Sequence, residues 1–383
     1  MIWSMDRRYF DWAAASPPDP TIPLLSESPY GNPSSLHAEG RAAREALEAA
    51  RSRCAAVLGT KPENLVFTSG GSESNAMVLH SLLLRQGKPE LAISAVEHPS
   101  VREDALMLKR LGHAITVVEA GSDGRIHPEA AEKAIGRNNR IRMAAIMAVN
   151  NETGAAMDLN GISRAIRKRP GPPVHVHCDA VQAFGKLPMD LSSWDVDSLS
   201  LSAHKFGGPR GIGLLYVRSR IETLAMGGGQ ERGLRPGTEN LRGAQAMAYC
   251  MERRGKAKTC METYEAAERR MAWLLSRLRS LDGCVFVPED RLEKDSRFSP
   301  YILQLAFPPI PAEVMVRALD DRGIAASTGS ACSSASKERP VLAAMGIAPE
   351  TAACAFRLSQ GWTTGEEDME VLLGTIKRTL DSL

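Results

Sequence analysis

Short apolar segments alternate with helical stretches along the first two thirds of the chain, which predicts an α/β fold. Residues 40–58 are rich in Ala and Arg and stop at Gly59, as helices commonly do. The strand-like segments end in polar residues and span 65–71, 91–98, 115–120, 143–151 and 174–179. Ligands bind at the carboxyl edge of open parallel sheets, so we expect a site where these segments end.

The pattern changes after a long helical zone at about 240–280, which Asp282 and Gly283 break. Strand-like segments follow, then a helix near 312–322 and the small-residue loop STGSACSSAS at 327–336. We therefore expect a second domain to begin within the helical zone.

Composition narrows the class of protein. Of 383 residues, 43% are apolar and 24% are charged, which is typical of a globular protein and excludes wholesale disorder. The net charge of +2 gives no support for nucleic-acid binding. The apolar run at 143–149 is far shorter than the roughly 18 residues of a membrane helix. Charges at Asp6, Arg7 and Arg8 interrupt any signal-peptide core. We expect a cytoplasmic protein that binds neither nucleic acid nor membrane.

The seven cysteines are odd in number and form no C-x-x-C pair, which indicates reduced thiols rather than disulfides or structural zinc. Six of them lie in helical or strand patterns, and we assign these to packing. Cys332 lies among serines and alanines in the 327–336 loop. An accessible thiol beside a positive group would be a nucleophile there. The alternative is an inert buried thiol, the commoner state of a free cysteine.

Two segments join a strand to glycines and polar side chains. In 198–217, Lys205 follows a strand and precedes four glycines. A partly desolvated lysine there can form a Schiff base, although a solvated surface lysine is the commoner case. In FTSGGSESN at 67–75, a strand leads through two glycines into a helix whose N-terminus can bind an anion. The alternative is a plain N-cap at Ser72 or Ser74.

Two further positions suit a cofactor and an amino-acid substrate. Asp179 ends a strand, where a carboxylate needs a cationic partner such as a protonated pyridine, or else serves as a helix N-cap. Arg357 lies in a strand-like run and either binds a carboxylate or is a surface arginine. His175 and His177 alternate with valines, but no third ligand has a suitable spacing, so we expect no metal site.

Together these features meet the needs of pyridoxal phosphate and an amino-acid substrate, and the loop thiol narrows the reaction. The motifs, in order, are YGNPSSLH, FTSGGSESN, EHPSV, VNNETG, HCDAVQAFGK, SAHKFGGPRGIG, GGGQERGLRPGTEN and GSACSSAS. In this combination the chain resembles the cysteine desulfurases of the NifS/IscS type, within the class V aminotransferase group of fold-type I pyridoxal-phosphate enzymes. The resemblance runs from YFDWAAASP to RLSQGWTT and covers almost the whole chain.

The resemblance implies a fold and its division into domains. Residues 15–250 would form a large three-layer α/β/α domain whose mostly parallel sheet binds the cofactor. Residues 1–14 together with 251–383 would form a smaller α+β domain. The smaller domain would carry the catalytic cysteine loop, at about 325–337, and the arginine that binds the substrate.

The resemblance also implies the residues that hold the cofactor. Lys205 would bind pyridoxal 5′-phosphate as a Schiff base, and Asp179 would pair with its pyridine nitrogen. Gln182 would hydrogen-bond the 3′ oxygen, and His98 would stack on the ring and take part in catalysis. The residues implied for the phosphate are Gly71, Ser72, Ser202 and His204, with Thr238 reaching across from the second subunit of a homodimer. Ser72 stands where threonine is commoner and Gly71 where relatives often carry a side chain; we expect phosphate binding to be kept.

The implied substrate is L-cysteine, with Asn151 and Arg357 binding its carboxylate. The reaction would give L-alanine and leave sulfur as a persulfide on Cys332, for an acceptor protein in iron–sulfur cluster or thio-cofactor synthesis. The printed sequence ends at Leu383, before the tail by which housekeeping relatives dock their scaffold, so we expect docking to differ.

Other readings stay open from the sequence. A selenocysteine lyase or a class V aminotransferase would share the fold, although an aminotransferase has no need of a loop thiol. A non-catalytic assembly or regulatory partner would be expected to lack Lys205, Asp179 or Cys332, and all three are present.

Overall fold

The computed structural model describes residues 7–23, 28–136, 138–329 and 339–383. The strands are β1 Arg8–Tyr9, β2 Leu65–Thr68, β3 Glu90–Ser94, β4 Ile115–Val118, β5 Ile141–Ala145, β6 His175–Asp179, β7 Ser198–Ser202, β8 Gly213–Val217, β9 Val285–Phe286, β10 Ile302–Ala306, β11 Ile324–Ala325 and β12 Ala355–Ser359. The α-helices are α1 Ala38–Leu58, α2 Gly71–His80, α3 Pro99–Arg110, α4 Pro128–Ile135, α5 Leu159–Arg167, α6 Leu191–Trp194, α7 Leu241–Arg254, α8 Ala257–Leu278, α9 Ala312–Asp320, α10 Pro340–Ala344, α11 Pro349–Cys354 and α12 Glu366–Leu380.

The main sheet, within the described residues, has seven strands in the order β2-β8-β7-β6-β5-β3-β4. Strand β8 is antiparallel to both of its neighbours, and the other pairs are parallel. Alternate residues of β2 pack on opposite faces: Leu65 and Phe67 join a core that includes α1 and α7, whereas Val66 joins one with α2 and α3. The sheet therefore lies between two helical layers, which confirms the predicted α/β fold.

A smaller antiparallel sheet has the order β12-β10-β9, and β1 pairs in parallel with β11. Phe10, next to β1, packs into a separate apolar core with residues of α8, α9 and α12. The N-terminal segment therefore reaches both this core and, a few residues later, the main sheet. The division at residue 250 stays a prediction.

Some predicted boundaries moved once the chain was packed. The predicted helix at 40–58 is α1, and Gly59 ends it in the left-handed region with φ 64°. The helical zone predicted at 240–280 consists of two helices, α7 and α8. A Cβ at Gly255 would lie 2.4 Å from Val57 Cγ1, so only glycine fits where α7 ends against α1. Among the described helices, none is both long and apolar enough to cross a membrane.

Candidate active site

A cavity of about 240 Å³ opens at the carboxyl edge of the main sheet, where the sequence predicted a site. It gathers segments that lie far apart along the chain. The predicted site residues that line it are Gly71, Ser72, His98, Asn151, Asp179, Gln182, Ser202, His204, Lys205 and Arg357.

One end of the cavity offers hydrogen-bond donors of the kind that bind a phosphate. Helix α2 begins at Gly71, directly behind the carboxyl end of β2. Ser202 Oγ lies 2.8 Å from His204 Nδ1, and burial lowers the pKa of His204 to about 4. The neutral ring can donate one hydrogen bond, and the first N–H groups of α2 are also donors. A Cβ at Gly71 would lie 2.6 Å from Val181 Cγ2, so this chain has no room for a side chain there.

Lys205 is half-buried in the wall of the cavity rather than on the surface. It ends the short 3-10 turn that follows β7. Its Nζ donates to the carbonyl oxygens of Ala13, at 2.6 Å, and Ala14, at 2.8 Å. The N-terminal segment therefore forms the surface against which the amine is held.

Asp179 is buried at the end of β6 and accepts hydrogen bonds on both oxygens. Asn75 Nδ2 donates to Oδ2 at 2.8 Å, and the Val181 N–H donates to Oδ1 at 3.0 Å. Both donors are neutral, so the charge of the carboxylate is available to a cationic ligand. No helix begins directly after Asp179 in the described structure, so it is not a helix N-cap; the bond from Val181 closes a turn instead.

Gln182 lies between the N-terminal segment and a buried lysine. Its Nε2 donates to the Ala13 carbonyl at 2.8 Å, and its Oε1 accepts from Lys186 Nζ at 2.7 Å. Burial lowers the pKa of Lys186 to about 7, and Lys205 adds to the shift. Sequence reasoning missed Lys186; its signal was its place four residues after Gln182 in the same motif.

His98 is the N-cap of α3, and its Nδ1 accepts a hydrogen bond from the Ser100 N–H at 3.1 Å. Burial lowers the pKa of His98, and the Asp179 carboxylate partly offsets this. The ring therefore carries its single proton on Nε2 when it is neutral.

Glu97, which sequence reasoning also missed, is buried beside His98 in the chain. Its Oε1 accepts from the N–H of Met147, at 2.7 Å, and from the hydroxyl of Ser94. Its Oε2 has no hydrogen-bond partner among the described residues. Burial raises the pKa of Glu97 to about 8, so this carboxyl is mostly protonated near pH 7.

Arg357 is only 1% exposed, so the surface interpretation is wrong. Its Nη1 donates to the Asn151 carbonyl and its Nη2 to Asp11 Oδ1, both at 2.8 Å. Its Nε has no hydrogen-bond partner among the described residues. A buried guanidinium with an unused donor, lining the cavity, suits a carboxylate ligand. Sequence reasoning missed Asp11, which lies in the motif YFDWAAASP.

Glu152 and Arg339 form a second charged pair behind Arg357. Arg339 Nη2 lies 4.0 Å from Glu152 Oε2, and Arg339 Nη1 donates to the carbonyls of Ala352 and Ala355. Arg339 is the first described residue after the 330–338 gap, so the chain is anchored next to Asn151 where it re-enters the described part.

Cys332 lies outside the described residues, and its place relative to the cavity stays a prediction. The other six cysteines suit packing. Cys284 is half-buried, and the buried ones are Cys54, Cys178, Cys250, Cys260 and Cys354. Burial raises the pKa of Cys54, Cys250 and Cys284 to about 12, so these thiols carry little thiolate near pH 7.

Thr238 is exposed and is not among the residues that line the cavity of this chain. The segment that carries Thr238 also contains Glu231, seven residues earlier. The Glu231 carboxylate accepts hydrogen bonds from both terminal nitrogens of the buried Arg51, at 2.6 and 2.8 Å. This pair fixes the segment that carries Thr238 to helix α1. That Thr238 contributes to the phosphate site of a second subunit stays a prediction.

Comparisons with known proteins agree with this geometry. The model of the family "Aminotransferase class-V" matches residues 8–372. Over 392 aligned residues the chain is 35% identical to the cysteine desulfurase IscS of Dictyoglomus turgidum. The alignment covers 98% of this chain and 95% of that protein.

Solved structures give the same picture. A NifS-like protein superimposes with a TM-score of 0.89 and 32% identity, covering 98% of this chain and 100% of that one. SspA in complex with cysteine superimposes with a TM-score of 0.77 and 29% identity, covering 92% of this chain and 98% of that one. The chain therefore belongs to the class-V aminotransferase family and, within it, to the cysteine desulfurases, a family of pyridoxal-phosphate enzymes.

Proposed function

We propose that this protein converts L-cysteine to L-alanine, holds the released sulfur as a persulfide on Cys332 and passes it to an acceptor protein. The observation that carries this proposal is the single cavity in which Lys205, Asp179 and Arg357 meet. An amine, a buried carboxylate and a buried guanidinium in one cavity suit an amino-acid substrate on a pyridine cofactor.

The residues present fit pyridoxal 5′-phosphate. Lys205 would bind it covalently, Asp179 would face its pyridine nitrogen, and His98 would stack on its ring. Gln182 has a second amide hydrogen, beyond the one held by Ala13, for the 3′ oxygen. The phosphate would be held by Gly71, Ser72, Ser202 and His204. When bound, the cofactor withdraws electrons from the substrate Cα.

Arg357 and Asn151 would orient the substrate. The Arg357 guanidinium lines the cavity, and a charge-assisted hydrogen bond from it to the cysteine carboxylate would fix the rest of the molecule. Lys205 Nζ, once released, would take the proton from Cα. The same amine can return a proton to the product.

Cys332 would supply the sulfur-accepting group. Its thiolate attacks the substrate sulfur, so an S–S bond forms as the C–S bond breaks. The electron pair of the broken bond stays with the substrate Cβ, which takes a proton and becomes the methyl group of alanine. No outside oxidant is needed, because the transferred sulfur gives up the two electrons that the substrate Cβ gains.

The assembly and destination are further parts of the proposal. Exposed Thr238 suits a homodimer in which each subunit completes the phosphate site of the other. The acceptor would serve iron–sulfur cluster or thio-cofactor synthesis, and the expected cytoplasmic location stays a prediction.

Persulfide mapping tests this function. Wild type loaded with pyridoxal phosphate is incubated with L-cysteine without reductant, digested and measured by mass spectrometry. The peptide with Cys332 should gain one sulfur atom, with an equal amount of alanine released, and the Cys284→Ala control should behave alike. No sulfur on Cys332 would contradict the proposal. Reaction with L-selenocysteine alone would favour the lyase reading instead.

A further inference from the structure

Asn75 lies at the centre of a buried hydrogen-bond network that joins two of the proposed cofactor residues. It is fully buried on α2. Its Nδ2 donates to Asp179 Oδ2 at 2.8 Å and to Ser100 Oγ at 2.9 Å. Ser100 Oγ in turn lies 2.9 Å from His98 Nδ1. One amide therefore contacts Asp179 directly and His98 through a single hydroxyl.

The orientation of this amide is fixed by its partners. An ionised carboxylate only accepts, so Nδ2 faces Asp179, and Oδ1 faces His177 Nε2 at 2.9 Å. His177 must then carry its proton on Nε2. Burial lowers the pKa of His177 to about 3, so its ring is neutral. Its Nδ1, 2.8 Å from Ser198 Oγ, is left to accept.

The network continues through Ser198 to His175, and the partners fix which atom donates in each hydrogen bond. Because Ser198 donates to His177, its oxygen accepts from His175 Nε2 at 2.7 Å. His177 and Ser198 are also partners in the parallel pairing of β6 with β7, so sheet register sets their separation. The chain of donors therefore leads from half-buried His175 to Asp179.

This network holds groups in place rather than conducting protons. An amide nitrogen is not a base near neutral pH, and both of its hydrogens are already donated. Asn75 thus interrupts any relay between His177 and Asp179. Its two donors instead set the rotation of the Asp179 carboxylate and, through Ser100, support the His98 ring.

We propose that Asn75 is a positioning residue that sets Asp179 and His98 together for the pyridine ring of the cofactor. The inference rests on the proposed function, because that function places Asp179 at the ring nitrogen and His98 over the ring face. Each residue also has a backbone N–H partner, Val181 for Asp179 and Ser100 for His98, and the Asn75 amide is the side chain that joins the two.

The first test measures binding rather than turnover. Asn75→Ala should weaken the binding of added pyridoxal phosphate to the cofactor-free chain by about ten- to a hundredfold, the effect of losing a hydrogen bond to a charged group. Asn75→Asp should weaken it further, because a second carboxylate would face Asp179. Ser100→Ala cuts only the His98 arm and should have the smaller effect.

The matched control is Asn138→Ala. Asn138 is also a hydrogen-bonding amide, but it precedes β5 and its Nδ2 donates to Glu90 at the amino end of β3, the end of the sheet opposite the cavity. This variant should lose thermal stability without losing affinity for the cofactor. If it weakened binding as much as Asn75→Ala, the effect would be general destabilisation and the inference would be wrong.

A second readout needs no cofactor. Nitrogen NMR of the imidazole rings should find His177 neutral with its proton on Nε2 in wild type, Ser100→Ala and Asn138→Ala. Asn75→Ala should abolish this preference, because the acceptor at Oδ1 is gone. An unchanged His177 signal together with wild-type cofactor affinity in Asn75→Ala would overturn this inference but leave the proposed function standing. A wild-type chain that binds no pyridoxal phosphate would overturn both the proposed function and this inference.

Discussion

The two walls of the cavity are built in different ways. The cofactor wall, meaning Lys205, Asp179 and His98, comes from the carboxyl ends of strands β7, β6 and β3 of the main sheet. The substrate wall, meaning Asp11, Asn151 and Arg357, joins three distant segments, and the bond from Arg357 to Asp11 spans 346 positions. The first wall depends on sheet register, and the second depends on how the N-terminal segment and β12 pack. Substitutions in the first wall should therefore weaken cofactor binding, and substitutions in the second should weaken substrate binding.

The largest effect should come from the cofactor wall. Lys205→Ala removes both the covalent attachment point and the base, so alanine release from L-cysteine should fall below detection in amino-acid analysis. The exposed Lys133→Ala serves as the control and should keep the wild-type rate. Turnover by Lys205→Ala at the wild-type rate would remove this lysine from the mechanism.

The substrate wall should respond through KM. Arg357→Ala removes a charge-assisted carboxylate contact of about 1.5–3 kcal/mol, so KM for L-cysteine should rise about ten- to a hundredfold while cofactor affinity changes little. Steady-state kinetics and cofactor titration measure the two separately.

Arg291→Met is the matched control for that change. Arg291 is equally buried and donates to the carbonyls of Thr153 and Ser299, but it does not line the cavity. It should destabilise the fold and leave KM unchanged. An unchanged KM in Arg357→Ala would show that the walls are not divided in this way.

The smallest effect concerns pH. Burial raises the pKa of Glu97 from 4.5 to about 8 in the folded chain. Between these two pH values the folded chain therefore binds one proton more than the unfolded chain. The contribution of Glu97 to the free energy of unfolding is therefore complete below about pH 4.5 and is lost as the pH rises toward about 8.

Glu97→Gln cannot titrate, so its stability relative to wild type should rise by about 1 kcal/mol or more between about pH 5 and about pH 8. Thermal unfolding of the cofactor-free proteins at both pH values measures this. Equal differences at the two pH values would mean that Glu97 is ionised throughout.

The cofactor wall could be predicted from sequence because its members stand at strand ends in continuous motifs. The rule for open parallel sheets then brings Asp179 and Lys205 to one edge. Asn75 stood inside a recognised motif, yet its role was invisible, because its partners His177 and Asp179 lie 102 and 104 positions away. Such contacts depend on strand order, which hydrophobic periodicity does not give.

The substrate wall shows the same limit more strongly. Arg357 sits in a strand whose apolar pattern fits a surface or a buried position. Its burial involves segments that are distant in the chain, including Asp11 and Asn151, to which it donates hydrogen bonds. The sequence predicted a helical zone at about 240–280 but not its division into α7 and α8. The break comes at Gly255, which ends α7, and a Cβ there would lie 2.4 Å from Val57 Cγ1 on α1.

The central claim is that sulfur leaves L-cysteine through Cys332. The most direct measurement is alanine release from L-cysteine, with reductant present, by wild type, Cys332→Ala and the half-buried control Cys284→Ala, all loaded with pyridoxal phosphate. Wild type and Cys284→Ala should release alanine and sulfide, and Cys332→Ala should bind cofactor and substrate but release neither. Alanine release by Cys332→Ala at the wild-type rate would contradict the account.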